Sequence, residues 1–446
     1  MRRFRLLNLF LLTPLTVAAF GELPAKQLVI AYVTVIDVST GKALPDRNVV
    51  IQGDRITAVE DGTSQPEEGA TIIDGHGKFV IPGLWDTHVH LTSTTECALP
   101  LLVATGITNV RDMGGRLMRI DDWRSRIAAG ILVGPHIVRV GPTLNGTSFN
   151  SFQMVAGGPE ATRGAIRALQ FIGVDAIKVH RRLPRASYFA AADEAKKLGI
   201  PLVGHVPIEV TPAEASDAGQ ATLEHTQTLF EGTFSTTLQE AELPGAIERW
   251  LASSEADALF AKFVRNGTWV TPTLEGYVEM ANLADPSVPR DARYRYVASS
   301  QRREFEPQLK AMSPKDLRAL AGALEDATAR MHRDGVMILA GTDAAGPRLV
   351  GFSLHQELIE MIKIGMTPAE ALQTATLNPA RAFGKAADFG AVEPGRVANL
   401  VLLDGNPLDR IENTQRIAAV VLDGKAYQRP ELDRLLVEAE RLAAQN

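Results

Sequence analysis

The sequence predicts an α/β protein, a (β/α)8 TIM barrel with a small β-sandwich domain built from both chain ends. Apolar runs near 84–91, 106–112, 135–140, 176–180, 201–206, 222–226, 268–274 and 337–343 make eight strand-sized segments, and helical stretches such as Ala186 to Leu198 and Ser353 to Ile364 fall between them. Strand and helix alternating eight times is the pattern of a closed parallel barrel. Short apolar and polar bursts over residues 28–60, separated by Gly-Lys and Gly-Asp turns, read as antiparallel hairpins, and the same texture returns at Ala398 to Leu403 and Ile417 to Lys425. A length of 446 residues suits a barrel of ~250 residues with insertions and a smaller companion.

In chain order, residues 1–21 read as a secretory signal peptide. Arg2, Arg3 and Arg5 precede the apolar stretch Leu6 to Phe20, and small Ala19 and Gly21 stand before a cut at Glu22. The expected location is therefore exported, periplasmic or extracellular. Residues 22–80 supply the first part of the sandwich, 81–392 the barrel, 393–428 the second part of the sandwich, and 429–446 a terminal amphipathic helix with Leu432, Leu435, Leu436 and Leu442 on one side. The connections 228–265 and 276–336 are too long for simple crossovers and are expected to hold extra helices. A net charge of −6 without a basic stripe excludes a nucleic-acid partner, and no segment after the leader is apolar enough to span a membrane. The expected partner is a small-molecule substrate, and a homo-oligomer is left open. Cys97 is the only cysteine, which excludes an intrachain disulfide.

The chemistry stands at the ends of the apolar runs. His88 and His90 close the run from Phe79; side chains alternate along a strand, so the two point the same way and can grip one cation, and Asp86 shares their parity. Lys178, His205, His225 and Asp343 end four later runs, on the face where barrel active sites lie. Histidine nitrogen and carboxylate oxygen are ligands for zinc-class metals, and burying these groups together without a cation would cost roughly 1–3 kcal/mol for each unsatisfied one. Lys178 points into the same mouth, where an ammonium would repel metals. It reads as a carbamate formed with carbon dioxide and bridging two cations; the other reading is a salt bridge to Asp86 or Asp112.

From about Gln27 to Tyr427 the chain resembles the amidohydrolase superfamily, in the branch of imidazolonepropionase-related proteins and Xaa-Pro or Xaa-Arg dipeptidases. The matching segments are Pro82-Gly-Leu-Trp-Asp-Thr-His-Val-His90, Lys178, Gly204-His205, Glu224-His225, Gly341-Thr-Asp343, Gly365 to Leu372, Thr376 to Ala380 and Gly395 to Val401. The resemblance implies two divalent metal ions, zinc being the expected metal. His88, His90 and Asp343 would hold the buried one, His205 and His225 the more exposed one, and carboxylated Lys178 would bridge them. Two departures bear on substrate. Thr143-Leu-Asn-Gly-Thr-Ser148 replaces a Gly-Gly-His-Gly type loop, removing a substrate-contacting histidine, and Lys178 separates the chain from mononuclear imidazolonepropionases and deaminases. Asn399 replaces a common aspartate and is expected to be structural.

The expected activity is hydrolysis of an amide or peptide-like C–N bond in a dipeptide, N-acyl amino acid or related small molecule. A metal-bridging hydroxide would be the nucleophile and Asp343 the proton shuttle. A lactone or ester hydrolase using the same centre is the alternative, and a non-catalytic binding protein a remote one. His180, Tyr277 and His355 are candidate substrate contacts; Arg181, Arg182 and Arg348 lie near the mouth; His76, His136 and His332 are read as structural.

Overall fold

The computed structural model describes residues 26–148, 152–234 and 242–445, so the leader expected over 1–21 lies outside the described residues. The chain opens with β1 (Leu28–Asp37), β2 (Lys42–Gln52), β3 (Arg55–Asp61), β4 (Thr71–Asp74) and β5 (Phe79–Pro82). β1 pairs antiparallel with β2, and parallel along its other edge first with β4 and then with β5. The change of partner falls at Tyr32, whose φ of 57° accompanies a register shift between Ile30 and Val33. Such a bulge bends a strand without ending it.

Each of the eight apolar runs holds one parallel strand, and two short strands, at Thr143–Asn145 and Gln153–Val155, lie outside them. They are β6 (Leu84–Val89), β7 (Ile107–Asp112), β8 (His136–Arg139), the short β9 (Thr143–Asn145) and β10 (Gln153–Val155), β11 (Ile177–Val179), β12 (Leu202–Gly204), β13 (Thr222–Glu224), β14 (Trp269–Thr271) and β15 (Met337–Ile338). β6, β7 and β8 form one parallel sheet; β10, β9 and β11 to β15 form a second. The sheets are tied at one edge by a parallel bridge between Val89 and Ala344 and by Asp343 N–H donating to His88 O at 2.7 Å. At the other edge Asp175 N–H donates to Arg139 O at 2.8 Å. All six residues of β6 and of β7 are buried, as expected where helices cover a parallel sheet. Ile177, Leu202, Leu223 and Val270 share one apolar core with Ile166, Phe263, Leu324 and Leu358 of the surrounding helices.

Both long connections hold extra helices. Thr228–Phe234, Leu243–Leu251 and Ser254–Asn266 lie between β13 and β14, and Leu274–Ala284, Ser299–Ala311 and Pro314–Arg333 between β14 and β15. After them come β16 (Leu400–Leu403), β17 (Ile417–Leu422), β18 (Lys425–Gln428) and the helix Arg429–Gln445, which buries Leu432, Ala439 and Ala443. β16 runs antiparallel to β5 with Leu400 opposite Pro82, so the two ends of the chain meet in one eight-stranded mixed sheet. Asn399 is part of that join, its side-chain oxygen accepting from Asp423 N–H at 2.7 Å. Cys97 is a buried free thiol, and no helix among the described residues is long and apolar enough to cross a membrane.

Candidate metal centre

The six residues singled out by the sequence come together at the C-terminal ends of β6, β11, β12, β13 and β15. One ligand atom from each of His88, His225 and Asp343 lies within 4.8 Å of the others. His90 Nε2 stands 3.2 Å and His88 Nε2 3.4 Å from Asp343 Oδ1, and Lys178 Nζ is 3.3 Å from His88 Nε2. The rings continue outward, with centroids 4.6 Å apart for His88 and His225 and 4.8 Å for His205 and His225. A cavity of about 290 Å³ opens over them, lined by His90, Lys178, His180, His205, His225 and Asp343 among others.

Backbone geometry at the strand ends makes this convergence possible. His225 and Asp343 take φ of 68° and 52°. Non-glycine residues there cost on the order of 1–3 kcal/mol and persist where the surroundings enforce them, most often at functional sites. Gly204, at φ 119°, has room for no side chain: a Cβ would fall on the Val179 carbonyl and within 3.0 Å of Lys178 Cγ. Gly341 likewise sits with a would-be Cβ 2.9 Å from His88 N. These two glycines let the strand ends crowd around the converging residues.

Each inner histidine has one nitrogen tied down. His88 Nδ1 donates to Glu224 Oε2 at 2.9 Å, His90 Nδ1 donates to Gly114 O at 3.0 Å, and His225 Nδ1 pairs with Thr273 Oγ1 at 2.8 Å. The opposite nitrogens of His88 and His90 are thereby turned to Asp343, the arrangement by which outer groups orient metal-binding imidazoles. Burial pushes Glu224 upward, but the Arg111 guanidinium at 2.7 Å and the His88 contact more than offset it and hold the carboxyl below its usual range. Burial pulls His88 and His205 well below the ordinary imidazole value and His225 down to about 4, with Lys178 adding repulsion. Burial thus favours the neutral form of His88, His205 and His225, the form that binds a metal. Burial also brings Lys178 down to about 8, against the attraction of Asp343 and Glu224. His205 Nδ1 is buried without a hydrogen-bond partner among the described residues, an orphan that a cation would satisfy. The donor set fits a divalent metal.

The remaining candidates divide. His180 lines the cavity and stacks on His205 with centroids 4.4 Å apart. Tyr277 is spent on Gln227, to which its hydroxyl donates at 2.7 Å. His355 does not reach the cavity, contrary to the expectation of a substrate contact. Its Nε2 meets Thr105 O and its Nδ1 Thr414 Oγ1, both at 2.9 Å, because its helix turns it toward the N-terminal end of β7. Lys178 forms no ion pair with Asp86 or Asp112 among the described residues. Asp86 instead accepts from Thr342 Oγ1 at 2.7 Å. Arg348 faces inward, donating to Asp343 Oδ2 at 2.8 Å. Glu224 and Arg111 were missed by sequence reasoning; a charged residue within each of two apolar runs was the available signal.

The amidohydrolase family profile matches residues 79–427, and the chain belongs to that family. The adenine deaminase of Rubrobacter xylanophilus is 26% identical over 441 residues, covering 92% of this chain and 59% of the relative. That of Chelativorans sp. is 25% identical over 400 residues, covering 85% and 54%. The chain thus spans little more than half the length of these relatives. Among solved structures, bottromycin amidohydrolase superposes with a TM-score of 0.75 at 22% identity, covering 93% of this chain and 90% of that one. A Xaa-Pro dipeptidase with bound methionine superposes with 0.69 at 21%, covering 90% and 100%. At these identities the likeness to the two structures is one of fold.

Proposed function

We propose that this chain is a metal-dependent hydrolase of an amide or peptide-like C–N bond in a small substrate, built on a (β/α)8 barrel with a small β-sandwich domain from both chain ends. The observation that carries the reading is the convergence of His88, His90, Lys178, His205, His225 and Asp343 beneath one cavity. These six residues would hold two divalent metals, which supply Lewis acidity and lower the pKa of water from 15.7 towards ~7 when bound. Lys178, with its ammonium form weakened by burial, takes up carbon dioxide: a nitrogen–carbon bond forms, one amine proton leaves, and the anionic carbamate joins the ligand set. Glu224 fixes the His88 tautomer, and Arg348 holds Asp343 Oδ2 while Oδ1 faces the two histidines. Asp343 takes the proton of the attacking water and delivers it to the leaving nitrogen, which departs poorly as an anion.

A second reading, release of an exocyclic amino group from a heterocycle, draws on the relatives named adenine deaminase. Purified, metal-loaded protein assayed against dipeptides, N-acyl amino acids, lactones and adenine separates the possibilities. Turnover of amides, lost in Lys178→Ala, supports the first reading. Ammonia released from adenine alone supports the second, and turnover of lactones alone makes the centre an esterase. Inactivity on every class with two metals bound overturns catalysis of this kind.

A further inference from the structure

The helix Leu274–Ala284 begins after Thr273, and Thr273 does not cap it. A threonine at this position ordinarily stands in extended backbone and accepts a hydrogen bond from an amide of the first turn. Thr273 makes no such bond and is left-handed, at φ 54° and ψ 46°, a conformation in which a β-branched residue is an outlier. Its hydroxyl is turned the other way, to His225 Nδ1 at 2.8 Å.

The vacated capping place is filled from a distant segment. Glu357, on the helix Phe352–Lys363, accepts from Leu274 N–H at 3.2 Å through Oε1 and from Glu275 N–H at 2.7 Å through Oε2. Glu357 is 0% and Thr273 2% exposed, so both are sealed from solvent. Burial pushes the Glu357 carboxyl up to about 8, and the two amide donors pull against that. The backbone ties the same segment to the histidine: His225 N–H donates to Thr271 O at 2.8 Å and Thr226 N–H to Pro272 O at 3.3 Å. His225 therefore rests on residues 271–273 through both its backbone and its ring, and the place of those residues is set by where the following helix starts.

We propose, on the reading of His225 as a metal ligand, that Glu357 is a positioning residue of the metal centre: it caps the helix Leu274–Ala284 in place of Thr273, which leaves Thr273 Oγ1 free to hold His225 Nδ1 and turn Nε2 of that ring to the cation. Binding through Nε2 needs the ring proton on Nδ1, so a fixed acceptor there selects both the tautomer and the direction of the ring. Neither Glu357 nor Thr273 lines the cavity over the centre, so their influence on a cation passes through His225.

The test uses the full-length protein loaded with cobalt(II), whose unpaired electrons shift the N–H protons of bound imidazoles away from the rest of the proton NMR spectrum. Thr273→Val is expected to lose one such signal to exchange with water, that of His225, and Thr273→Ser, which keeps the hydroxyl, to retain it. Glu357→Gln presents an amide NH₂ to one of the two backbone donors. It is expected to lose or broaden the same signal while those of His88 and His90, whose Nδ1 partners are Glu224 and Gly114, stay in place. Cobalt affinity in a chelator competition should fall at least about 10-fold in Thr273→Val and in Glu357→Gln, and no further in the double variant, because the two act along one path. No change of signal in Thr273→Val, an unchanged His225 signal in Glu357→Gln, or losses of affinity that add in the double variant overturns the proposal. If thermal melting shows that Glu357→Gln does not fold, Glu357→Asp, which keeps the charge and withdraws it by one methylene, is read in the same way. Failure of both to fold makes Glu357 a residue of the fold alone and also overturns the proposal. A wild-type protein that takes up no cobalt overturns the metal reading of the site itself, and the role of Glu357 falls with it.

Discussion

His88 and His355 are both fully buried imidazoles in one apolar core, and their surroundings give them opposite capacities. His88 has one nitrogen held by Glu224 and the other turned to Lys178 and Asp343, whereas His355 has both nitrogens consumed, by Thr105 and Thr414. Burial makes each imidazole hard to protonate. What separates a ligand from a packing residue is therefore not burial or residue type but whether a nitrogen is left over, and toward what it points.

The largest test acts on the group that His88 and His90 face. Asp343→Asn keeps an oxygen but loses the base, so kcat is expected to fall by ~10²–10⁴-fold while bound metal, measured by elemental analysis, stays substantial. Near-normal turnover in that variant would remove Asp343 from proton transfer. Next, Glu224→Gln weakens the anchor of His88 and leaves the buried Arg111 without its counter-charge. Metal affinity should drop ~10–100-fold in a chelator competition, and stability by roughly 3–5 kcal/mol in chemical denaturation.

His355→Phe reverses the pattern. It leaves the Thr105 carbonyl unpaired, while the Thr414 hydroxyl keeps the Ile411 carbonyl, so unfolding free energy should fall by about 1–3 kcal/mol while kcat on any substrate turned over by the wild type is retained. The pH dependence sharpens this further. Burial lowers the folded pKa of His355 to about 4, against an unfolded value near 6.5. Its contribution is present above pH 6.5 and is lost as pH falls toward 4, because only the unfolded chain takes the proton, at up to ~1.4 kcal/mol per pH unit. The gap between wild type and His355→Phe should narrow across that window in denaturation curves; a constant gap would mean that His355 is protonated in the fold. The smallest effect belongs to His136, whose 2.7 Å pair with Asp423 is solvent-exposed. His136→Ala should cost less than about 1 kcal/mol in the same assay.

Much of this architecture is legible along the chain. Each apolar run holds one parallel strand, though some strands are much shorter than their run and the strands at Thr143–Asn145 and Gln153–Val155 have none, and the helices at Arg185–Leu198 and Phe352–Lys363 match their apolar periodicity to within a residue. The six converging residues were readable for a related reason: each stands in or just after an apolar run near its C-terminal end, and the C-terminal ends of parallel strands necessarily lie on one face. His355 misled because its position just after the last strand suggests that face, while the direction of its side chain depends on the helix beginning at Phe352.

The sequence by itself determined the alternation of strand and helix, the joining of both chain ends in sheet structure, and the residues offered to a metal, because periodicity and strand polarity are local properties of neighbouring residues. Only the tertiary structure decided which nitrogen of each histidine is spent. It paired Glu224 with His88 across 136 residues and Arg348 with Asp343. Hydrogen bonds of 2.7–2.9 Å demand positions that strand order alone does not specify. They are settled when bulges, left-handed residues such as His225 and Asp343, and close approaches at Gly204 and Gly341 bring distant segments into register.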